Sequence, residues 1–362
     1  MTPAKHASRT AVAVLLAFFI CISLCFPFAA CGGDEPSLPA DESGSGESAP
    51  SGISLTSDFD EPSDDSSEEP VSTGPDLSSD GDALILDETD TVFNCRQLFA
   101  WSSERGLLIR KGGRTEQLYP ASLTKLVTAL VALEYADPET ECVAGEELNM
   151  VAADASIAYI PKGSRATLTS LIEGMLLPSG CDASYVIAAN VGKIIDPDTP
   201  NEVTAVSVFI DAMNRWSGEH GLLHSNWMNP DGYHHDLHYT CLEDMLLVAD
   251  MAAKENEIIR YTRTYQENVK LSSGEGNTWT NTNNYVNPKS AYYNPYCFGL
   301  KTGQTGEAGG CLLTAFQYED EILLIGIFGS KTYNARFDVT NAVLNALREP
   351  AGEEPQDLSE AA

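Results

Sequence analysis

The sequence predicts an α/β (α+β) protein in which one antiparallel sheet is flanked by helices and set beside a helical cluster. Three observations carry that expectation. Residues 298–304, 310–318 and 321–329 read as consecutive strands, the last two joined by a tight turn at Glu319-Asp320. A hairpin of 93–102 and 106–110, turning at Ser103-Glu104-Arg105, lies far upstream, so both ends of the domain supply strands. Between them, apolar residues recur at helical spacing over 203–220 and 241–254, and in shorter helices before those.

In chain order, Lys5 and Arg9 precede an apolar run over 11–30 that closes on Phe28-Ala29-Ala30-Cys31-Gly32-Gly33. A basic start, an apolar core and small residues before a cut mark a secretory signal over residues 1–30. The run nearly reaches membrane-spanning length. Pro27 and the small-small-cysteine ending favour cleavage instead, with Cys31 as the lipid-bearing first residue of a lipoprotein. Plain secretion and a retained anchor are the alternatives, and all three place the folded part outside the membrane.

Residues 31–85 follow. From 34 to 82 they hold no Lys or Arg and few large apolar side chains, so they cannot bury enough surface to offset their ordering entropy. Much of the net charge of −32 lies here, and like charges extend the segment into a tether. The acidity argues against nucleic acid as a partner. Residues 349–362 form a similar acidic tail. That leaves 86–348 as one large domain or two closely packed lobes.

Within it, Tyr119-Pro120-Ala121-Ser122-Leu123-Thr124-Lys125 reads as a turn opening a helix, whose face of Leu123, Leu126, Val127, Leu130 and Val131 is buried. Ser122 and Lys125, three apart, share one side of the first turn. A serine hydroxyl is a poor nucleophile until a neighbour takes its proton, and a lysine does so only when neutral. By itself the pair reads as an N-cap serine followed by a surface lysine. Ser170 to Glu173 has capping-box spacing and opens a helix to 177. Asp182 then caps a helix to 191 with Gly192 as its stop. A closing helix covers 338–347.

Two further motifs change the reading of that pair. Ser179-Gly180-Cys181-Asp182-Ala183 lies in a turn between two helices, and Lys301-Thr302-Gly303-Gln304-Thr305-Gly306-Glu307-Ala308-Gly309 begins in a strand. Ser-x-x-Lys, then Ser-x-(Asn), then Lys-Thr-Gly, in that order, is the signature set of penicillin-binding proteins and serine β-lactamases. With Asn229-Pro230-Asp231-Gly232 and Arg336-Phe337, the set resembles the low-molecular-weight D-alanyl-D-alanine carboxypeptidases over about residues 86–348.

The resemblance implies a serine β-lactamase-like fold and a role for each residue. Ser122 attacks the terminal D-Ala-D-Ala bond of a peptidoglycan pentapeptide and forms an acyl-enzyme, which water hydrolyses. Lys125 is the general base, and Ser179 relays a proton to the leaving amine. Lys301 adds positive potential and, with Thr302, receives the substrate carboxylate; Gly303 lets substrate lie against the strand. The backbone N–H groups of Ser122 and Gln304 form the oxyanion hole, and Arg336 is a second carboxylate clamp or part of a structural ion pair. β-Lactam antibiotics are the implied inhibitors, and no cofactor is implied.

Cys181 stands where the family pattern has asparagine. A thiol donates and accepts only weakly, so substrate positioning is expected to differ. A sharper alternative makes Cys181 the nucleophile, activated at a helix N-terminus, although no motif places a histidine beside it. Two other readings are a serine β-lactamase, for which no convincing Glu-x-x-x-Asn follows the second motif, and a non-catalytic wall lipoprotein on the same fold.

Nine cysteines are present. Cys21 and Cys25 belong to the signal and Cys31 to the lipid. Cys95, Cys142, Cys181, Cys241, Cys297 and Cys311 read as mostly free, buried thiols, because a domain this large has an adequate core without disulfides. His234, His235 and His238 beside the Asp231-Gly232 turn read as a polar surface loop rather than a metal site.

Overall fold

The structure, a computed structural model, describes Pro75 and residues 80–348. The signal, Cys31, the tail and the tether up to residue 79, Pro75 apart, lie outside the described residues.

Strands β1 (Leu84–Leu86), β2 (Gln97–Ser102) and β3 (Gly106–Lys111) open the domain. β4 (Glu141–Val143) pairs with β5 (Arg165–Thr167), and β6 (Gln266–Lys270) with β7 (Gly276–Thr280), as two small ribbons. β8 (Cys297–Thr305), β9 (Gly309–Tyr318) and β10 (Glu321–Ser330) complete a six-stranded sheet in the order β1-β3-β2-β10-β9-β8. The upstream hairpin and the three late strands thus join in one sheet, as the sequence predicts. Every pairing in it is antiparallel except β1 with β3. β1 begins two residues before the domain boundary expected at 86, and Arg110 holds Asp80 just ahead of it through two hydrogen bonds of 2.9 and 2.8 Å.

The helices are α1 (Thr124–Tyr135), α2 (Leu168–Leu176), α3 (Cys181–Ile195), α4 (Glu202–Glu219), α5 (Leu242–Lys254), α6 (Asn256–Thr262) and α7 (Ala335–Arg348). The sheet is covered on both faces, and its side chains divide by the two-residue period of a strand. On β10, Leu324 and Phe328 enter the core shared with α1 to α6, while Leu323, Ile325 and Ile327 pack with Phe337, Val343 and Leu344 of α7.

α1 departs from its expected one-sided burial. It packs against α2, α3, α4 and α5, so Thr124, Lys125 and Thr128 are buried along with the apolar stripe. Over its first two turns the helix lies at the centre of the cluster and has no solvent face to offer, while Glu134 near its end is exposed.

Two caps also differ. Thr167, not Ser170, caps α2, its hydroxyl accepting the Ser170 N–H at 3.2 Å. Gly180 is the N-cap of α3, and Asp182 instead accepts the N–H groups of Ala158 (2.7 Å) and Ile160 (3.0 Å) from a neighbouring loop. α3 runs through Gly192, which lies against Ala205 where α3 and α4 cross; the glycine serves a close approach rather than a stop. α7 starts at Ala335 and so takes in Arg336.

Candidate active site

The three motifs converge on one cleft of about 620 Å3. Ser122 lies in a 3-10 turn, Ala121–Leu123, directly ahead of α1, with Ala121 at φ +49°. α1 then carries Lys125 back beneath the serine. The lysine is 0% exposed, and its Nζ donates to Ser122 Oγ (2.9 Å), the Asp231 carbonyl oxygen (2.6 Å) and Cys181 Sγ (3.4 Å). All three of its donors are therefore committed.

The second motif turns between α2 and α3. Ser179 has φ +64°, and its carbonyl accepts the Ser156 hydroxyl at 2.6 Å, while Cys181 N–H donates to Ser156 O at 2.8 Å. Asp182 pins the same loop. Ser179 and Cys181 line the cleft, both buried. Cys181 is the first residue of α3, where a helix N-terminus favours thiolate, yet its thiol pKa is raised. Burial is the main cause; it outweighs the pull of Lys125, and the Asp231 carboxylate adds to the rise. The thiol therefore stays protonated, which runs against a cysteine nucleophile.

The third motif is on β8, the edge strand of the sheet. Gly303 lies so close to the nucleophile turn that a Cβ there would stand 2.9 Å from Ser122 N and 3.0 Å from Pro120 O. Only glycine permits this approach. Lys301 is 1% exposed, with one hydrogen bond, to Thr302 O at 3.1 Å. Burial, and after it the charge of Lys125, holds its pKa well below the usual lysine value. Thr302 Oγ1 shares a 2.6 Å hydrogen bond with Thr282 Oγ1.

Arg336, 1% exposed, forms no ion pair among the described residues. Nη1 donates to Gly303 O (2.6 Å) and Cys311 O (3.0 Å), Nε to Tyr333 O (2.9 Å), and the guanidinium stacks on the Tyr333 ring at 4.1 Å. Nη2 has one long bond, to Gln304 Oε1 at 3.4 Å. The side chain lines the cleft with a charge that no carboxylate among the described residues neutralises.

His238 corrects the reading of its loop as polar surface. It is 2% exposed; Met228 N–H donates to Nδ1 at 3.1 Å, which leaves the proton on Nε2, 2.8 Å from Thr124 Oγ1. The Thr124 hydroxyl in turn donates to Ala121 O at 2.9 Å. This chain braces the nucleophile turn. Burial, with His235, His234 and Lys125 adding, pushes the ring's pKa down to about 3, so it is neutral. No group of three or more His, Cys, Asp or Glu among the described residues is placed to hold a metal.

Sequence reasoning did not find His238, Thr282 or the Asp231 carbonyl as parts of the site. The Asn229-Pro230-Asp231-Gly232 motif pointed at the last without its role. All six cysteines in the described residues are free and buried.

The sequence profile described as D-alanyl-D-alanine carboxypeptidase, peptidase S11, matches residues 101–332. D-alanyl-D-alanine carboxypeptidase DacF of Bacillus subtilis is 26% identical over 237 residues, 64% of this chain and 57% of that protein. The match thus spans little more than half of that relative. The D-alanyl-D-alanine carboxypeptidase of Streptomyces sp. strain K15 is 26% identical over 62% of this chain and 77% of its own length. The crystal structure of the Streptomyces K15 DD-transpeptidase superposes with a TM-score of 0.63 at 25% identity, covering 70% of this chain and 96% of that one. Variants of that enzyme in which one cysteine is replaced by alanine or by asparagine match with TM-scores of 0.63 and 0.62.

Proposed function

The chain belongs to the D-alanyl-D-alanine carboxypeptidase family, and we propose that it cleaves the terminal D-alanine from peptidoglycan stem peptides through an acyl-enzyme on Ser122. The observation that carries this is the 2.9 Å contact between Ser122 Oγ and a fully buried Lys125 Nζ. Lys125 keeps its bonds to Asp231 O and Cys181 Sγ, and its nitrogen lies where a lone pair can be turned towards the serine hydroxyl. It takes that proton as Oγ attacks the D-Ala carbonyl carbon. The carbonyl oxygen collects negative charge and is received by the N–H groups of Ser122 and Gln304, which the Gly303 contact holds together.

The C–N bond then breaks, and the leaving amine takes a proton through Ser179, which lines the same cleft. The substrate carboxylate lies by Thr302 and Lys301, with Arg336 Nη2 as a second donor. Water hydrolyses the ester and regenerates Ser122. A β-lactam mimics the peptide and stops at the acyl stage. Cell-wall substrate and the signal-like first 30 residues both support action outside the cytoplasmic membrane, with the lipid on Cys31 as anchor. None of the described helices is long and apolar enough to cross a membrane.

A second reading is acyl transfer to an amine in place of water. Its support is the likeness to a DD-transpeptidase of which cysteine variants have been solved, alongside Cys181 here.

Labelling with a fluorescent penicillin, followed by timing of its release, tests the reading together with D-alanine release from a pentapeptide. Slow release from Ser122 with liberation of D-alanine is expected. Rapid release identifies a β-lactamase, and absence of label a decayed site. An adduct on any other residue removes Ser122 as nucleophile.

A further inference from the structure

Away from the cleft lies a second hollow of about 750 Å3, larger than the first and sharing no lining residue with it. The two adjoin at the Glu307–Ala308 step, Glu307 lining the cleft and Ala308 the second hollow. Tyr119, shortly ahead of Ser122 in the chain, also lines the second hollow and sets its ring edge-on against His234 of the cleft at 4.9 Å. The proposed reaction uses no part of this hollow.

Its lining holds polar groups that the fold leaves open. Gln97 lines the hollow, is 4% exposed, and its Oε1 has no hydrogen-bond partner. A buried amide oxygen without a donor costs stability unless something outside the fold donates to it. Lys111, 6% exposed, donates from Nζ to Asp90 O at 3.2 Å and Phe93 O at 2.9 Å, which leaves its third donor uncommitted. Two glycines of positive φ make room for the stems of Gln97 and its neighbour. A Cβ on Gly112 (φ +89°) would stand 2.6 Å from Gln97 Cγ, and one on Gly329 (φ +73°) 2.6 Å from Arg96 Cγ. Charge is balanced: Asp87, Glu88 and Glu116 share the lining with Arg96, Arg110 and Lys111, and Arg110 is already paired with Asp80. Leu86, Leu118, Tyr119 and Phe328 supply the apolar part.

A ligand suited to this lining brings an N–H for Gln97, an apolar patch, and hydroxyls that donate to carboxylates and accept from cations. It needs no net charge, because the lining offers both signs. A peptide has the N–H but not the run of hydroxyls. We propose that the hollow binds an N-acetylated amino sugar, the glycan part of the wall polymer whose peptides the cleft is proposed to trim. The acetamido N–H donates to Gln97 Oε1, the acetyl methyl and the C–H face of the ring lie on the apolar side, and the hydroxyls meet the charged groups. The place of this sugar in the wall rests on the peptidase reaction proposed above; its binding does not, and is measured without turnover.

Calorimetric titration of the full chain uses tri-N-acetylchitotriose, with cellotriose as the sugar that keeps the ring hydroxyls and lacks the acetamido group. Tri-N-acetylchitotriose should bind at least about tenfold more tightly than cellotriose. Gln97→Met keeps the stem and drops the amide, so it should weaken that binding roughly tenfold. Removing a buried unpaired oxygen should leave the urea midpoint unchanged or raise it, and penicillin should acylate Ser122 in this variant as in the wild type. Acylation fills the cleft, and the acylated chain should still bind the sugar. No binding, equal binding of both sugars, or wild-type affinity in Gln97→Met overturns the proposal. So does a lowered urea midpoint in Gln97→Met, which makes the amide a structural group. Loss of sugar binding on acylation places the sugar in the cleft and overturns it too. A last titration uses L-Ala-γ-D-Glu-L-Lys, which has no sugar. Binding of this peptide that Gln97→Met abolishes, with no sugar bound, assigns the hollow to peptide instead. Failure of penicillin to label the wild type refutes the peptidase reaction and leaves the result of the sugar titration standing.

Discussion

The floor of the cleft and its rim hold charge in different ways. Lys125, Lys301 and Arg336 are 0%, 1% and 1% exposed, and what holds them is backbone carbonyls: Asp231 O, Thr302 O, and Gly303, Cys311 and Tyr333 O. At the rim, Asp154 and Glu307 are exposed and pair with a tyrosine hydroxyl and an imidazole. A carboxylate against a buried cation would cancel its field locally; a carbonyl dipole lowers the cost of burial and leaves the net charge in place. The floor therefore leaves the charge of Arg336 uncancelled for an anionic substrate, and the expense of burying cations there shows in the lowered pKa values of Lys301 and Arg336.

The largest effect should come from separating the charge of Lys125 from its basicity. Lys125→Arg keeps a cation but supplies no proton acceptor at working pH. Acylation by penicillin should fall on the order of 10^3-fold in both Lys125→Arg and Lys125→Ala. An arginine variant close to wild type would mean that this lysine acts only through its field.

Arg336 tests the carbonyl-held floor directly. Arg336→Ala strips Gly303 O, Cys311 O and Tyr333 O of their donor, and unpaired buried carbonyls cost about 1–3 kcal/mol each. Urea unfolding should show a loss of at least about 2 kcal/mol. Arg336→Lys, which cannot bridge two carbonyls and stack on Tyr333, should keep part of that stability yet raise KM for the peptide roughly tenfold. Unchanged stability in both would make the side chain a substrate ligand alone.

The brace under the nucleophile turn gives a pH signature. His238 has a folded pKa of about 3 against an ordinary 6.5. Between those values the unfolded chain binds a proton that the folded chain refuses. The stability tied to the neutral ring is therefore complete above about pH 6.5 and is lost as pH falls towards 3. His238→Gln should be less stable at pH 7 by about 1 kcal/mol, and should lose less between pH 6.5 and 4.5. Parallel urea midpoints for the two proteins across that range would remove His238 as the titrating group.

What was legible in the sequence follows how local the chemistry is. Ser122 and Lys125 meet within one helical turn, and the Lys301–Gly303 triplet needs only a strand, so residue order carried both. The Asp231 carbonyl, Thr282 and His238 reach the site through folding of distant segments, and no spacing announces them. His238 looked like loop surface because its neighbours His235 and Asp236 are exposed; its ring alone turns inward to Thr124. Ser170 to Glu173 has the capping-box spacing, yet the hydroxyl that caps α2 is that of Thr167, three residues earlier, and no spacing announced it. The ribbons β4–β5 and β6–β7 and helix α6 were not anticipated. Their strands are three to five residues long and largely exposed, so periodicity has little to act on.

Cys181 should give the smallest effect, and it is where floor and rim touch. Its sulfur accepts from Lys125 Nζ at 3.4 Å, and the Asp231 carboxylate helps keep the thiol protonated. A thiol is a weak partner on both sides. An asparagine there offers a carbonyl oxygen to Lys125 and an N–H2 group to the peptide amide. One such hydrogen bond is worth on the order of 1 kcal/mol, roughly fivefold in rate if the transition state uses it fully. Cys181→Asn should therefore speed acylation by penicillin up to about fivefold. Cys181→Ala, which loses only the weak sulfur contact, should stay within about a factor of three of the wild type. The site is 4% exposed, so an amide larger than the thiol must find room; a gain in rate with a lower unfolding midpoint would show that it does so under strain. Complete loss of acylation in both variants would make Cys181 the attacking group and displace Ser122.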